Sequence, residues 1–115
     1  MGRMRLGVRP DAARQYVDLQ LEDDGKPLGR ILFDGASAEK HIRDVGRARA
    51  ALLDPVTPDL DPGARVDVTV DPRWVIGDRT PVGRQIALRH PGLGWLAFII
   101  PDDEAKAIAD WLMKD

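Results

Sequence analysis

The segment GRILFDGASAEKHIRDV (residues 29–45) predicts the architecture of this chain, because its pattern occurs again in GWLAFIIPDDEAKAIADW (residues 94–111). Phe33 in the first stretch matches Phe98 in the second. In both stretches an apolar strand runs directly into a segment whose apolar residues have helical spacing. In each case this strand is the second strand of a predicted hairpin, and the helical segment follows it. The sequence therefore indicates two ββα units. Chance and a shared strand-to-helix pattern are the alternative explanations of the few identities.

The first predicted hairpin begins with YVDLQLE (residues 16–22), which alternates between apolar and polar residues. We expect Val17, Leu19 and Leu21 to face inward. We expect Asp18, Gln20 and Glu22 to face water. LGRILF (residues 28–33) forms the returning strand after a turn at residues 23–27.

The segments around this hairpin predict further elements. Residues 3–9 alternate and indicate a short edge strand or an ordered arm within residues 1–10. After the hairpin, a helix is predicted from Ser37, acting as N-cap, to about residue 53. Residues 54–63 contain three prolines and form a stiff connection.

The second half repeats the strand pattern. RVDVTVD (residues 65–71) predicts a strand with its three valines facing inward, and residues 74–76 continue it or start a bent strand. Residues 84–89 and 94–100 form a hairpin. Residues 94–100 are apolar on both faces, which predicts a central position in the sheet. A final helix is predicted over 102–113, because a proline and three acids precede and open it.

These elements predict one α+β domain over residues 1–115. Its sheet is mixed or mainly antiparallel and carries two helices, with a possible pseudo-repeat of ββα units. The expected core residues are Phe33, Ile42, Val68, Leu96, Phe98 and Ile108.

The composition gives no general bias toward nucleic acid or membrane surfaces. The chain has 115 residues and 12.7 kDa, with 17 basic and 19 acidic residues and a net charge of −2. Arginine outnumbers lysine and aspartate outnumbers glutamate, a skew typical of GC-rich bacterial genomes. No apolar run approaches the roughly 20 residues of a membrane-spanning helix, so we expect a cytoplasmic protein.

The inventory of reactive side chains excludes much chemistry. Cysteine is absent, which excludes thiolate catalysis and cysteine zinc sites. His41 and His90 lack metal-binding spacing, and we expect the first on a helix flank and the second in a turn at a strand end. No glycine-rich phosphate loop occurs. The sequence therefore predicts no enzyme, with no catalytic residue, no cofactor and no metal.

Arginine and tryptophan gather in the second half of the chain. The candidate binding residues are Arg73, Trp74, Arg79, Arg84, Arg89 and Trp95. Both residue types are enriched at the centres of protein interfaces. Strand alternation predicts one outer face, which holds Gln85, Ala87, Arg89, Trp95, Ala97 and Ile99. Such a face is too apolar to meet only solvent, so it is covered by the first predicted helix, by a second copy of the chain or by a partner protein, and we expect one of the latter two. In the alternative explanation, the tryptophans pack in the core or across strands and the arginines only solvate the sheet.

We therefore expect a non-catalytic module that recognises a protein partner, such as an accessory subunit, inhibitor or immunity-type protein, and that can form a homodimer. The alternative is a single-stranded nucleic-acid-binding protein, in which bases stack on tryptophan and phosphates pair with arginine. The ending LAFIIPDDEAKAIADWL resembles the last strand and helix of Whirly-type single-strand-binding proteins, and this resemblance implies the nucleic-acid alternative.

Overall fold

A computed structural model describes residues 3–115, and the chain divides into two compact units, Met1–Asp59 and Leu60–Asp115. The division lies within the proline-rich connection predicted at residues 54–63. Each unit is an antiparallel three-stranded sheet followed by one helix. The predicted α+β class with two helices is confirmed, and the unit that occurs twice is βββα, with one strand more than the sequence indicated.

The first unit places its central strand between two edge strands. Its elements are β1 (Met4–Pro10), β2 (Val17–Asp23), β3 (Lys26–Phe33) and α1 (Gly35–Ala50). The strands pair in the order β1-β2-β3, so residues 4–10 form a paired edge strand, which is the first of the two predicted alternatives, and not an ordered arm. The register aligns Val8, Leu19 and Ile31 in one row, which gives this sheet one apolar face.

Asp18 lies on the opposite face of the first sheet and is buried, with only 3% of its surface exposed. The prediction that it faces water is wrong, because the neighbouring strand supplies a partner. Arg30 donates from Nε to Oδ1 and from Nη2 to Oδ2, each over 3.0 Å. This two-pronged hydrogen bond lowers the pKa of Asp18 below its usual value of 3.8 and satisfies both carboxylate oxygens.

Helix α1 begins at Gly35, two residues before the predicted start. Asp34 is its N-cap, and Oδ1 of Asp34 accepts the backbone N–H of Ser37 over 2.8 Å. The N-cap role predicted for Ser37 is therefore wrong. A carboxylate at this position accepts a free N–H group and also meets the positive end of the helix dipole. Further along α1, the ring of His41 stacks on Phe33 with 5.0 Å between centroids.

The second unit has the same order of elements. They are β4 (Trp74–Thr80), β5 (Gly83–His90), β6 (Gly94–Ile100) and α2 (Asp102–Leu112). Strand β5 is central, and the hairpin of β5 with β6 confirms the pairing predicted from residues 84–89 and 94–100. The predicted start of α2 is also confirmed, with Pro101 as N-cap and three acids in the first turn.

Two predictions for the second unit are wrong. Residues 65–71 alternate but form no strand, because neither three-stranded sheet includes this segment as a paired neighbour. At its end the backbone of Asp71 enters the left-handed region at φ 52°, and Pro72 follows. Strand β4 begins only at Trp74. The expected central position of β6 is also wrong, because two consecutive hairpins leave β6 at the edge of the sheet.

No apolar side chain among residues 3–115 is fully buried. Of the predicted core, Phe33 and Ile42 are half-buried. The other four are exposed: Val68, Leu96, Phe98 and Ile108. The prediction is wrong for Val68 because this residue lies outside any strand. It is wrong for Leu96, Phe98 and Ile108 because α2 lies over only one end of its sheet. A groove of about 280 Å³ remains between α2 and that end, lined by Ile76, Ile86, Ile100 and Ile108 among others.

Candidate functional site

The two faces of the second sheet differ in composition. The face on which α2 lies, the inner face, has the rows Trp74–Leu88–Leu96, Ile76–Ile86–Phe98 and Arg79–Arg84–Ile100. The outer face has the rows Val75–Ala87–Ala97, Gln85–Ile99 and Arg89–Trp95. Residues directly opposite each other in an antiparallel sheet point to the same side. The outer face predicted from alternation, with Arg89 and Trp95 together, is confirmed.

The structure divides the six candidate binding residues between these faces. Arg89 and Trp95 lie side by side on the outer face, whereas Trp74, Arg79 and Arg84 lie on the inner face. Arg73 precedes β4, and its carbonyl accepts the backbone N–H of Arg89 over 2.9 Å. The six residues therefore do not form one surface. Their closeness along the sequence could not show this, because the register of β4 decides the side on which Trp74 lies.

Arg79 and Arg84 already have a partner within the unit. Nη2 of Arg79 is 2.6 Å from Oδ2 of Asp102, and Nε of Arg84 is 3.7 Å from Oδ1 of the same carboxylate. The hydrogen bond from Arg79, assisted by the charge of Arg84, lowers the pKa of Asp102 below 3.8. Because Asp102 opens α2, these contacts tie the start of the helix to the sheet. Two of the candidate residues thus have a structural role.

The outer face is open to solvent. Trp95 is 52% exposed and Ile99 is 49% exposed, and Val75 at the far edge is similarly open. The side chain of Gln85 lies over Gly77, 3.0 Å from where a Cβ at that position would stand. None of the paired rows of this face contains an acidic residue. The result is an apolar strip with a guanidinium group at one end, which suits a ligand that combines apolar groups with an anion.

Both histidines serve the fold, as the sequence predicted. Nδ1 of His90 accepts the backbone N–H groups of Gly92 and Leu93 over 3.0 and 2.9 Å, which closes the turn between β5 and β6. His41 lies on α1 against Phe33. In the part of the chain that the structure describes, no group of three or more His, Cys, Asp or Glu side chains is arranged to hold a metal ion. Within the same residues, no helix has the length and apolar character needed to cross a membrane.

The Asp18–Arg30 pair of the first sheet was missed by sequence reasoning. A signal for it exists in the predicted hairpin, where Arg30 is directly opposite Gln20 and therefore diagonal to Asp18. Opposite charges at a diagonal position of one face are a candidate pair in any antiparallel hairpin. The pair anchors the hairpin and takes Asp18 out of the list of free acids.

Comparison with known proteins gives no assignment: no family model, curated protein or solved structure matches the chain significantly.

Proposed function

We propose that the protein is a non-catalytic binding module and that another protein binds to the outer face of the second sheet. The observation that carries the proposal is the half-exposed pair Trp95 and Ile99 on one face with Arg89. Exposed apolar strips of this kind mark interaction surfaces in soluble proteins. Tryptophan and arginine are also the side chains that most often dominate the binding energy of an interface.

The side chains of the outer face indicate which kind of partner surface would complement it. Trp95, Ala97 and Ile99 offer apolar contact along β6, and Arg89 offers a planar pair of donors at one end. The partner surface that complements this arrangement has apolar side chains next to a carboxylate. Because the paired rows contain no acid that competes for Arg89, this guanidinium is available for such a contact.

The proposal includes the absence of catalysis and the cytoplasmic location expected from the sequence. The environment of the acids supports the first point, since Asp18 and Asp102 are engaged by arginines and Asp34 caps a helix. Those three carboxylates have partners within the fold, and their lowered pKa values do not suit general-base catalysis near neutral pH.

Single-stranded nucleic acid is the second candidate ligand. The adjacency of Arg89 and Trp95 on an open sheet face favours it, because a base stacks on an indole while a neighbouring guanidinium meets the phosphate. Binding of this kind weakens steeply as salt concentration rises, which separates it from recognition of a protein.

The test is site-specific photo-crosslinking with benzoylphenylalanine at Ala97, in the middle of the outer face. The same probe at Val82, in the exposed turn before β5, is the positional control. A protein captured at Ala97 and not at Val82 is purified, and its affinity for the full chain is measured by calorimetry. Trp95→Ala and Arg89→Ala are each expected to weaken binding about tenfold or more, because truncating a hot-spot side chain costs about 2 kcal/mol.

Trp111→Ala is the matched control, because this tryptophan is 69% exposed on α2 and lies off the outer face. It should leave the affinity within about twofold of the wild-type value. Equal affinities for all variants, or no capture specific to Ala97, would overturn the proposal. A fluorescein-labelled oligothymidylate is titrated in parallel at low salt. Salt-sensitive binding that Trp95→Ala and Arg89→Ala remove would establish the nucleic-acid alternative instead.

A further inference from the structure

The four edge strands of the two sheets differ in how they are protected against pairing with another chain. Charged residues, prolines and irregular pairing are the usual devices that protect an exposed strand edge. Strand β1 has two arginines and a proline, β3 has a lysine, a proline and an arginine, and β4 has Asp78 and Arg79 beside an irregularity in its pairing. Three of the four edges are therefore protected.

Strand β6 has none of these devices. Its seven residues, GWLAFII, contain no charge and no proline, and its pairing with β5 is regular throughout. Side chains on both of its faces are exposed, with Trp95 at 52% and Phe98 at 52%. Among residues 3–115 no strand pairs with its outer edge. A regularly paired, apolar edge of this kind is a template for another strand.

The sequence of β6 is complementary to itself. If a second copy is placed antiparallel with Ala97 opposite Ala97, Trp95 lies opposite Ile99 of the partner subunit on the outer face. On the inner face, Leu96 lies opposite Phe98 of the partner subunit. Every directly opposed pair is then apolar or small, and aromatic residues meet branched ones, which are favourable cross-strand pairs. The two-fold axis through Ala97 makes the contact the same for both copies.

We propose that two copies of this chain pair through β6 in this register and form one continuous six-stranded antiparallel sheet. A second copy fits this edge because the apolar side chains of β6 complement one another in the antiparallel register. Strand β6 also carries no charge that would select a different partner. The pairing uses the one unprotected edge of each copy, and the edges that remain in the joined sheet are the two β4 strands, so it closes at two copies and does not extend into a fibre. It does not depend on the function proposed for the outer face, although it places Ile99 of the partner subunit beside Trp95.

The first test is the mass of the full chain in solution, measured by light scattering and by sedimentation equilibrium over a range of concentrations. The wild-type chain is expected to be a dimer. Ala97→Lys places two like charges across the axis and should raise the dissociation constant of the dimer about tenfold or more. Val75→Lys is the matched control, because Val75 lies in the same row at the opposite edge of the sheet and should leave the dimer intact.

A second test reads the register through disulfide formation and introduces no charge into the proposed contact. The chain contains no cysteine, so a single introduced cysteine reports its own neighbour. Directly opposed residues of antiparallel strands have Cα atoms about 4.5–5.5 Å apart, which a disulfide spans. Ala97→Cys should therefore form a covalent dimer under mild oxidation. Trp95→Cys should not, because the two copies of that residue stand four strand positions apart.

A monomeric wild-type chain would overturn the proposal, because the edge of β6 would then not pair with a second copy. So would a dimer that resists Ala97→Lys and shows no crosslink through Ala97→Cys, because another surface would then hold the copies together. Equal crosslinking through Ala97→Cys and Trp95→Cys would exclude the register. Circular dichroism of each variant shows whether the lysine substitutions remain folded, and the cysteine series decides the outcome if one of them does not.

Discussion

Gly83→Ala tests the closest backbone contact in the second unit. Gly83 opens β5, is buried, and has φ +153°, a region that side chains with a Cβ rarely adopt. A Cβ at this position would lie 2.2 Å from the carbonyl oxygen of Ile100 and 2.9 Å from Cα of Pro101. Both obstacles are backbone atoms, so no side chain can rotate to make room. Thr80 reinforces the turn, because its Oγ1 donates to the carbonyl of Gly83 over 2.8 Å and accepts its N–H over 3.1 Å.

The expected loss combines two effects. Forcing an extra carbon into an occupied space costs about 1–3 kcal/mol. Holding alanine in a backbone region suited to glycine costs about 1–3 kcal/mol more. The sum, about 2–6 kcal/mol, is a large part of the roughly 5–15 kcal/mol that stabilises a typical domain.

The assay is urea unfolding of the full chain, followed by tryptophan fluorescence and circular dichroism. Gly29→Ala is the matched control, because a Cβ at Gly29 meets nothing within 4 Å and its change in stability should stay below about 1 kcal/mol. If Gly83→Ala is unfolded and Gly29→Ala is folded, the result agrees with the expected steric clash at Gly83. A change below about 1 kcal/mol for Gly83→Ala would refute the described approach of β5 to the end of β6.

Four further substitutions probe the first unit. Gly46→Ala should stabilise the chain by about 0.5–1 kcal/mol in the same urea assay, because the site is open and lies inside α1; a loss of stability would contradict the helix. Asp34→Ala should destabilise clearly, whereas Ser37→Ala should stay within about 0.5 kcal/mol of wild type; the reverse order would restore Ser37 as the cap. The pKa of Asp18 is lowered by Arg30, so its contribution to stability is present above pH 3.8 and is lost as the pH falls through the lower pKa of the folded state. The unfolding free energy of Asp18→Asn should therefore decrease less than that of the wild type as the pH falls from neutral to acidic. An equal decrease in both proteins would show that Asp18 does not contribute to the acid sensitivity of the fold.

The elements that could be predicted from the sequence are those whose signals are local. The hairpin of β5 and β6, the beginning of α2 at its proline and acids, and the sides on which Trp95 and Ala97 lie all follow from alternation and helix-start chemistry. These signals depend on a few neighbouring residues, so they are present before the chain folds. The position of Arg89 beside Trp95, which carries the proposed function, belongs to this group because one short turn fixes the register of the two strands.

Features that depend on partners distant in the sequence could not be predicted and are visible only in the folded chain. Residues 65–71 have a strand pattern, yet a strand requires a neighbour, and the turn at Asp71 separates them from the sheet. Strand β6 has the composition of a central strand, but the number of strands in its sheet leaves it at an edge. Asp18 is a surface residue by alternation and is buried because Arg30 neutralises it from the next strand. In each case the deciding energy comes from pairing between separate segments, which no single stretch of sequence contains.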